Sequence, residues 1–229
     1  MSDKPHLVVL TGAGMSAESG VPTFRGAGGL WEGHRFEDVA SPAGWASQPE
    51  IVLEFYNQRR KQILEVQPNP GHLILAQFEQ HFRVSVITQN IDDLHERAGS
   101  TNVLHLHGLI TQARSTVDPE RIYPIKGWEL KWGDRCELGS QLRPHIVWFG
   151  EMVPMMIPAS EICQQADVFI VVGTSLQVYP AAGLVDYVPS GCQRLIVDPE
   201  IPSHLSIENW QVFPTSASQG LLQIKEILG

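Results

Sequence analysis

Four clusters of polar residues each follow a short apolar run in this chain. Gln89-Asn90-Ile91-Asp92 follows Val84–Thr88, and His107-Gly108 follows Val103–Leu106. Gly150-Glu151 follows His145–Phe149, and Gly173-Thr174-Ser175 follows Val168–Val172. Runs of this kind read as buried parallel strands, and the carboxyl ends of such strands line the ligand crevice of an open sheet. A neutral imidazole there can take a hydroxyl proton near pH 7. His105 lies two residues before His107, so on a strand both project to one face. Asn90 and Asp92 have a plainer reading, as caps of a helix starting near Ile91.

The amino-terminal segment adds nucleotide chemistry. Leu7–Leu10 runs into Gly12-Ala13-Gly14, and Gly12-x-Gly14-x-x-Ala17 fits the dinucleotide fingerprint with alanine in its third place. Glycine lets the backbone approach a pyrophosphate, and the start of the next helix offers unpaired N–H groups and a partial positive charge. By itself the motif also describes many strand-to-helix turns that hold no nucleotide.

These residues need a scaffold of alternating strands and helices. Leu195–Asp198 and Leu7–Leu10 complete the expected strands. Helical spacing is expected over Pro49–Val66, Gly71–Phe82, Ile91–Ala98, Pro180–Val188 and Ser216–Leu228. The alternation predicts an α/β fold, a Rossmann-like doubly wound parallel sheet with a small inserted module, over a single domain, 1–229. Two stretches interrupt it: 26–70, read as a helical insertion, and 109–143, read as a small module without a clear period.

The chain has 229 residues, 43% hydrophobic, enough for a substantial core. A net charge of -9 argues against nucleic acid as a partner and suits lysine-rich peptides or plain solubility. The polar start MSDKPH and the lack of a long apolar run predict a cytoplasmic protein without a membrane span. Three widely spaced cysteines, Cys136, Cys163 and Cys192, suggest neither a disulfide framework nor a complete zinc site.

GAGMSAESGVPTFRG, TQNIDDLHERAG, LHLHG, RPHIVWFGE and GTSLQVYPAAG resemble, in order, the signature blocks of the sirtuins, the NAD-dependent protein deacylases. The resemblance runs from Leu7 to about Leu228. It implies that NAD and an acyl-lysine protein or peptide meet between the large sheet and the small module. Gly12, Ala13, Gly14, Ala17, Pro22, Thr23, Phe24 and Arg25 would hold NAD, with Phe24 over the reacting ribose. Gln89, Asn90 and Ile91 would place the ribose, and Asp92 the nicotinamide carboxamide. Gly173, Thr174, Ser175 and Ala217 would reach the phosphate and adenosine side. Val147, Phe149, Gly150, Glu151, Gln177 and Val178 would flank the substrate, held as an added strand. His107, aided by Asn90, would be the catalytic base that activates a ribose hydroxyl as the acyl group moves to ADP-ribose. The oligomeric state stays open, with a monomer as the expectation.

Tyr56 and Arg59 lie three apart on the predicted Pro49–Val66 helix and share a face. A phenol beside a guanidinium can clamp a carboxylate. The pair resembles the sirtuin branch that removes succinyl, malonyl and glutaryl groups, which predicts dual specificity with acetyl. Arg60 and Lys61 next door also allow an ordinary charged surface.

Two departures stand out. Most sirtuins hold a zinc ion through two Cys-x-x-Cys pairs. Here Ser115 stands where the first cysteine is expected, and Cys136 is followed by Gly139. One cysteine cannot build a Cys₄ site, so a zinc-free module is expected, packed around Trp128 and Trp132. Asp198 replaces a more usual asparagine near the adenosine ribose. Its carboxylate would accept from ribose hydroxyls and disfavour a 2′-phosphate, favouring NAD over NADP. The competing functions are ADP-ribosyl transfer to a protein and non-catalytic sensing of NAD or ADP-ribose. Hydride transfer is a more distant third.

Overall fold

The structure, a computed structural model, describes residues 4–23, 30–31, 34–202 and 206–229. In chain order its elements are β1 (His6–Thr11), α1 (Gly14–Ala17), β2 (Leu30–Trp31), β3 (His34–Arg35), α2 (Phe36–Val39), α3 (Pro42–Ser47), α4 (Pro49–Glu65) and α5 (Pro70–Phe78). There follow β4 (Arg83–Thr88), α6 (Leu94–Arg97), β5 (Val103–His105), β6 (Gly108–Ser115), β7 (Ile122–Pro124), β8 (Leu142–Ile146) and α7 (Met156–Cys163). The last are β9 (Val168–Val172), a 3₁₀ segment Ala181–Tyr187, β10 (Gln193–Val197), β11 (Trp210–Phe213) and α8 (Ala217–Leu228).

Six strands form one parallel sheet in the order β11-β10-β9-β1-β4-β5. Counted along the chain, that is the order of a dinucleotide-binding sheet, and the winding reverses between β1 and β9. The ligand crevice is expected at that boundary, where Gly12 and Gly173 leave their strands. The strand residues alternate between two cores. Leu7, Val9, Val86 and Ile170 pack under α5 and α8, and Val8, Leu10, Ile87 and Phe169 pack under α7 and the 3₁₀ segment. Local signals place the helices. Proline opens α3, α4 and α5, and Asn69 caps α5 in a reciprocal box with His72.

The segment His145–Phe149, expected as a parallel strand, is not one. The strand there is β8, and it runs antiparallel to β6 in a separate three-stranded sheet, β7-β6-β8. Its apolar run covers one face of the small module and one wall of the crevice, which mimics a strand buried on both faces. The small sheet also gives 109–143 the regular structure that its sequence hides. Ala113 and Leu130 of this stretch are buried against Leu53 of α4. Trp128 and Trp132 are partly exposed rather than central, and Trp132 leans on Trp45 at 6.3 Å between ring centres. Three helices are shorter than their spacing suggested: α5 stops at Phe78, α6 spans only Leu94–Arg97, and Ala181–Tyr187 is a 3₁₀ turn. Among the described residues no helix is long and apolar enough to cross a membrane.

Candidate active site

A cavity of about 490 Å³ lies over the β1/β9 boundary and reaches under the small module. It runs from Asp198 and Ala217 past Ala13, Gln89 and His107 to Tyr56 and Arg59. Every residue assigned above to cofactor, substrate or catalysis lines it, with three exceptions. Phe24 and Arg25 lie outside the described residues, and Gln177 is exposed and is not among the walls. The chain turns at Leu176, which has a positive φ of 52°, and Val178 rather than Gln177 faces the opening.

The floor is two strand-end turns zipped together. Gly12 N–H donates to the Val172 carbonyl at 3.0 Å, and Gly14 N–H to the Gly173 carbonyl at 2.9 Å. A Cβ on Gly12 would lie 2.7 Å from Thr174 Cβ, and one on Gly14 2.7 Å from Gly173 Cα. These glycines are therefore required by the contact between turns, whatever ligand lies above. The expected helix-end charge is small. The helix α1 has four residues, and the N–H groups of Gly14, Met15 and Ser16 are all bonded to backbone carbonyls.

The loop after β4 supplies the next wall. Gln89 Nε2 donates to Thr174 Oγ1 at 3.1 Å, tying it to the turn after β9. Asn90 Nδ2 donates to Ser16 Oγ at 3.0 Å, and Ser16 Oγ–H donates to Asp92 Oδ2 at 2.9 Å. The other Asp92 oxygen accepts from Leu94 N–H at 3.2 Å, so Asp92, one residue before the N-cap Asp93, both braces the start of α6 and faces the cavity. Burial raises its pKa, opposed by these bonds.

His107 Nδ1 lies 3.0 Å from the Gln89 carbonyl oxygen. A carbonyl only accepts, so Nδ1 carries the hydrogen and Nε2 presents its lone pair. Burial lowers the pKa of His107, with the Gln89 bond opposing, and the ring is neutral at pH 7. His107 thus presents an Nε2 lone pair on a ring held by Gln89.

Under the module, Tyr56 is fully buried and Arg59 is 3% exposed. Trp148 Nε1–H donates to the Tyr56 hydroxyl oxygen at 3.0 Å. Trp148 is itself gripped. Its backbone N–H donates to Glu151 Oε2 at 2.8 Å, and the Arg143 guanidinium lies 3.3 Å from its ring centre. Arg143 and Arg114 both bond the Glu151 carboxylate. Burial works against ionisation of Glu151, yet these partners hold its pKa below the ordinary value. Glu151 lines the cavity with its charge already spent on holding Trp148.

Sequence reasoning missed Ser16, Trp148 and Glu18, which accepts from Ser216 Oγ–H and Ser218 N–H at the start of α8. Only their places inside the quoted signature blocks could have drawn attention to Ser16 and Trp148.

A parallel sheet of this order, with a buried histidine just beyond β5 and a small antiparallel module over the crevice, has the architecture of a dinucleotide-binding protein. The chain belongs to the Sir2 family, whose model matches residues 12–180. It is 51% identical over 229 aligned residues to an NAD-dependent protein deacylase of Bacteroides thetaiotaomicron, covering 97% of each chain. It is also 51% identical over 214 residues to one of Helicobacter pylori, covering 93% of this chain and 92% of the relative. A Sir2 homologue solved with NAD superposes with a TM-score of 0.87 at 38% identity, covering 99% of this chain and 92% of that one.

Proposed function

We propose that this protein is an NAD-dependent protein-lysine deacylase that takes acyl chains ending in a carboxylate, succinyl and malonyl among them, and acetyl as well. The observation that carries the reading is His107, whose Nδ1–H is fixed on the Gln89 carbonyl in a cavity that ends at Tyr56 and Arg59. The names of the relatives at 51% identity support the reaction class.

NAD fits the residues present. A cavity of about 490 Å³ is of the size that holds a small molecule, and its walls change from polar at Gln89, Thr174 and Ser175 to apolar at Ile63 and Phe149. Ala13, Gln89, Thr174 and Ser175 would hold phosphates and ribose, Asp92 the carboxamide, and Asp198 the adenosine ribose in preference to a 2′-phosphate. When bound, NAD supplies an electrophilic ribose carbon and the hydroxyl that receives the acyl group. His107 accepts the proton of that hydroxyl at Nε2. Asn90, held on Ser16, orients the ribose, and the apolar walls exclude water from the reacting atoms. The Tyr56 hydroxyl and the Arg59 guanidinium receive the distal carboxylate. Three free thiols suit the reducing cytoplasm as the place of action.

Mass-spectrometric turnover of matched acetyl- and succinyl-lysine peptides, with and without NAD, tests this in wild type and His107→Ala. NAD-dependent loss of both acyl groups with O-acyl-ADP-ribose formed is the expected result. The variant should lose about 10²- to 10⁴-fold. Turnover of acetyl alone would remove the carboxylate assignment, and turnover of neither would overturn the reading.

A further inference from the structure

The first histidine of the Leu104–Gly108 stretch does a different job from the second. His105 Nδ1 lies 3.1 Å from the Asn90 carbonyl oxygen, and His105 Nε2 lies 2.7 Å from Glu96 Oε1. A neutral imidazole has one N–H and can meet only one such acceptor as a donor. With a carbonyl on one side and a carboxylate on the other, both ring nitrogens must carry hydrogen. His107 has its carbonyl partner on Gln89, the neighbouring residue of the same loop, and no carboxylate partner among the described residues.

Resting on the deacylase reading, we propose that His105 is a positioning residue that works as an imidazolium. Bridging Glu96 and the Asn90 carbonyl, it sets the loop that offers Asn90 and Asp92 to the ribose and nicotinamide. The clamp adds to the side-chain bonds of Gln89, Asn90 and Asp92 given above and to the bond from Ile110 N–H to the Ile91 carbonyl at 2.8 Å. Asn90 N–H donates to Thr88 Oγ1 at 3.0 Å, Gln89 N–H to the Thr11 carbonyl at 2.9 Å, and His107 holds Gln89. On β5, His105 sits opposite Thr88, so its ring reaches the loop just past the end of β4.

The titratable groups facing His105 agree with this state. Burial disfavours its charge, but Glu96, the Asn90 carbonyl and the Asp92 carboxyl outweigh it and raise the pKa. Glu96 on α6 is held below the ordinary carboxylate range, where burial opposes ionisation but the His105 bond and charge prevail. Burial keeps His95 on α6 neutral, and it brings His145 on β8 down to about 4 with help from Arg114 and Arg143. Activity then needs two opposite states. Neutral His107 is present above its lowered pKa and lost as pH falls through it. Charged His105 is present below its raised pKa and lost as pH rises through it. Both limbs of the pH profile come from histidines two residues apart.

The test uses the full chain, isotopically labelled, with ring titrations followed by NMR and resonances assigned through His105→Gln and His107→Gln. His105 should titrate above the ordinary value of about 6.5 and His107 below it. Glu96→Gln, on a side chain 40% exposed, should lower the His105 value by roughly one unit and move the alkaline limb of kcat/KM for NAD with it. His105→Gln should cost about 10- to 100-fold in kcat/KM and leave no alkaline limb from this group. A merely structural ring would lower activity without moving that limb. A His105 value at or below that of His107, or a limb that stays put while the ring value shifts, overturns the proposal. Failure of wild type to turn over any acyl-lysine would overturn the deacylase reading alone. The ring titration, with NAD affinity measured by calorimetry on either side of the His105 value, would still decide the role of His105.

Discussion

At the cavity's inner end, Tyr56 and Arg59 are buried in the frame made by Trp148, Arg143 and Glu151. The Tyr56 oxygen accepts from Trp148, and in the proposed function its hydroxyl and the Arg59 guanidinium receive the distal carboxylate. A charge-assisted hydrogen bond there contributes about 2–3 kcal/mol. Arg59→Met should therefore lower kcat/KM for a succinyl-lysine peptide roughly 30- to 150-fold and change the acetyl value only a few-fold. Steady-state kinetics on matched peptides checks it, and equal losses on both acyl groups would show that Arg59 only supports the fold. The common placement of Tyr56 and Arg59 at the cavity was legible because residues three apart on a helix share a face. Trp148 was not, because its hold on Tyr56 crosses 92 positions of sequence and exists only once the module has folded over α4.

Helix α4 carries a second pair, one position along from the first. Asn57 Nδ2 donates to the Leu130 carbonyl at 3.0 Å, and its Oδ1 accepts from Leu130 N–H at 2.9 Å. Arg60 is fully buried and donates to the carbonyls of Ile110 and Trp128 and to Asn57 Oδ1. Desolvation lowers its pKa to about 10, so it stays charged at neutral pH. One helix thus presents Tyr56 and Arg59 to the cavity and Asn57 and Arg60 to the module. Asn57→Ala strands the buried N–H and carbonyl of Leu130 and should cost about 2–4 kcal/mol. Chemical denaturation checks this, and a loss under ~0.5 kcal/mol would mean that the module does not depend on the clamp. Five of the six parallel strands could be read from the sequence because their runs are largely apolar on both faces. The small sheet could not, since β6 and β7 alternate weakly and β8 pairs with β6 only after the chain has passed through β7 and the loop beyond it. The helix Met156–Cys163 and the edge strand Trp210–Phe213 gave no clear spacing, being short and half-exposed.

For the molecule as a whole, the question is how a small module stays in place over the crevice of a six-stranded sheet. The structure offers a network of ordinary contacts at the place where the sequence departs from the cysteine pairs. Ser115 Oγ and Ser140 Oγ are 2.8 Å apart, and Cys136 Sγ is 3.0 Å from Ser140 Oγ. The residue that meets Cys136 is therefore Ser140, one past the Gly139 expected from the spacing. Donors around a tetrahedral zinc ion stand about 3.3–3.8 Å from one another, given metal–ligand bonds of about 2.0–2.3 Å. The two shorter separations are those of direct hydrogen bonds, and Cys136 Sγ also reaches Ser115 Oγ at 3.6 Å. Among the described residues no group of three or more His, Cys, Asp or Glu side chains is arranged to hold a metal. Arg121 and Tyr123 add bonds to Glu137 across the same tip, and the Asn57–Arg60 clamp holds its base. A structural zinc ion contributes about 10 kcal/mol or more, so its removal would be unmistakable. Incubation with a strong chelator should leave the melting temperature unchanged within ~1 °C, and metal analysis of protein purified without added zinc should find far less than one ion per chain. Stoichiometric zinc, or a melting point that falls by several degrees on chelation, would show that the serines and Cys136 rearrange around a metal. It would also show that hydrogen bonding alone does not hold the module above the active site.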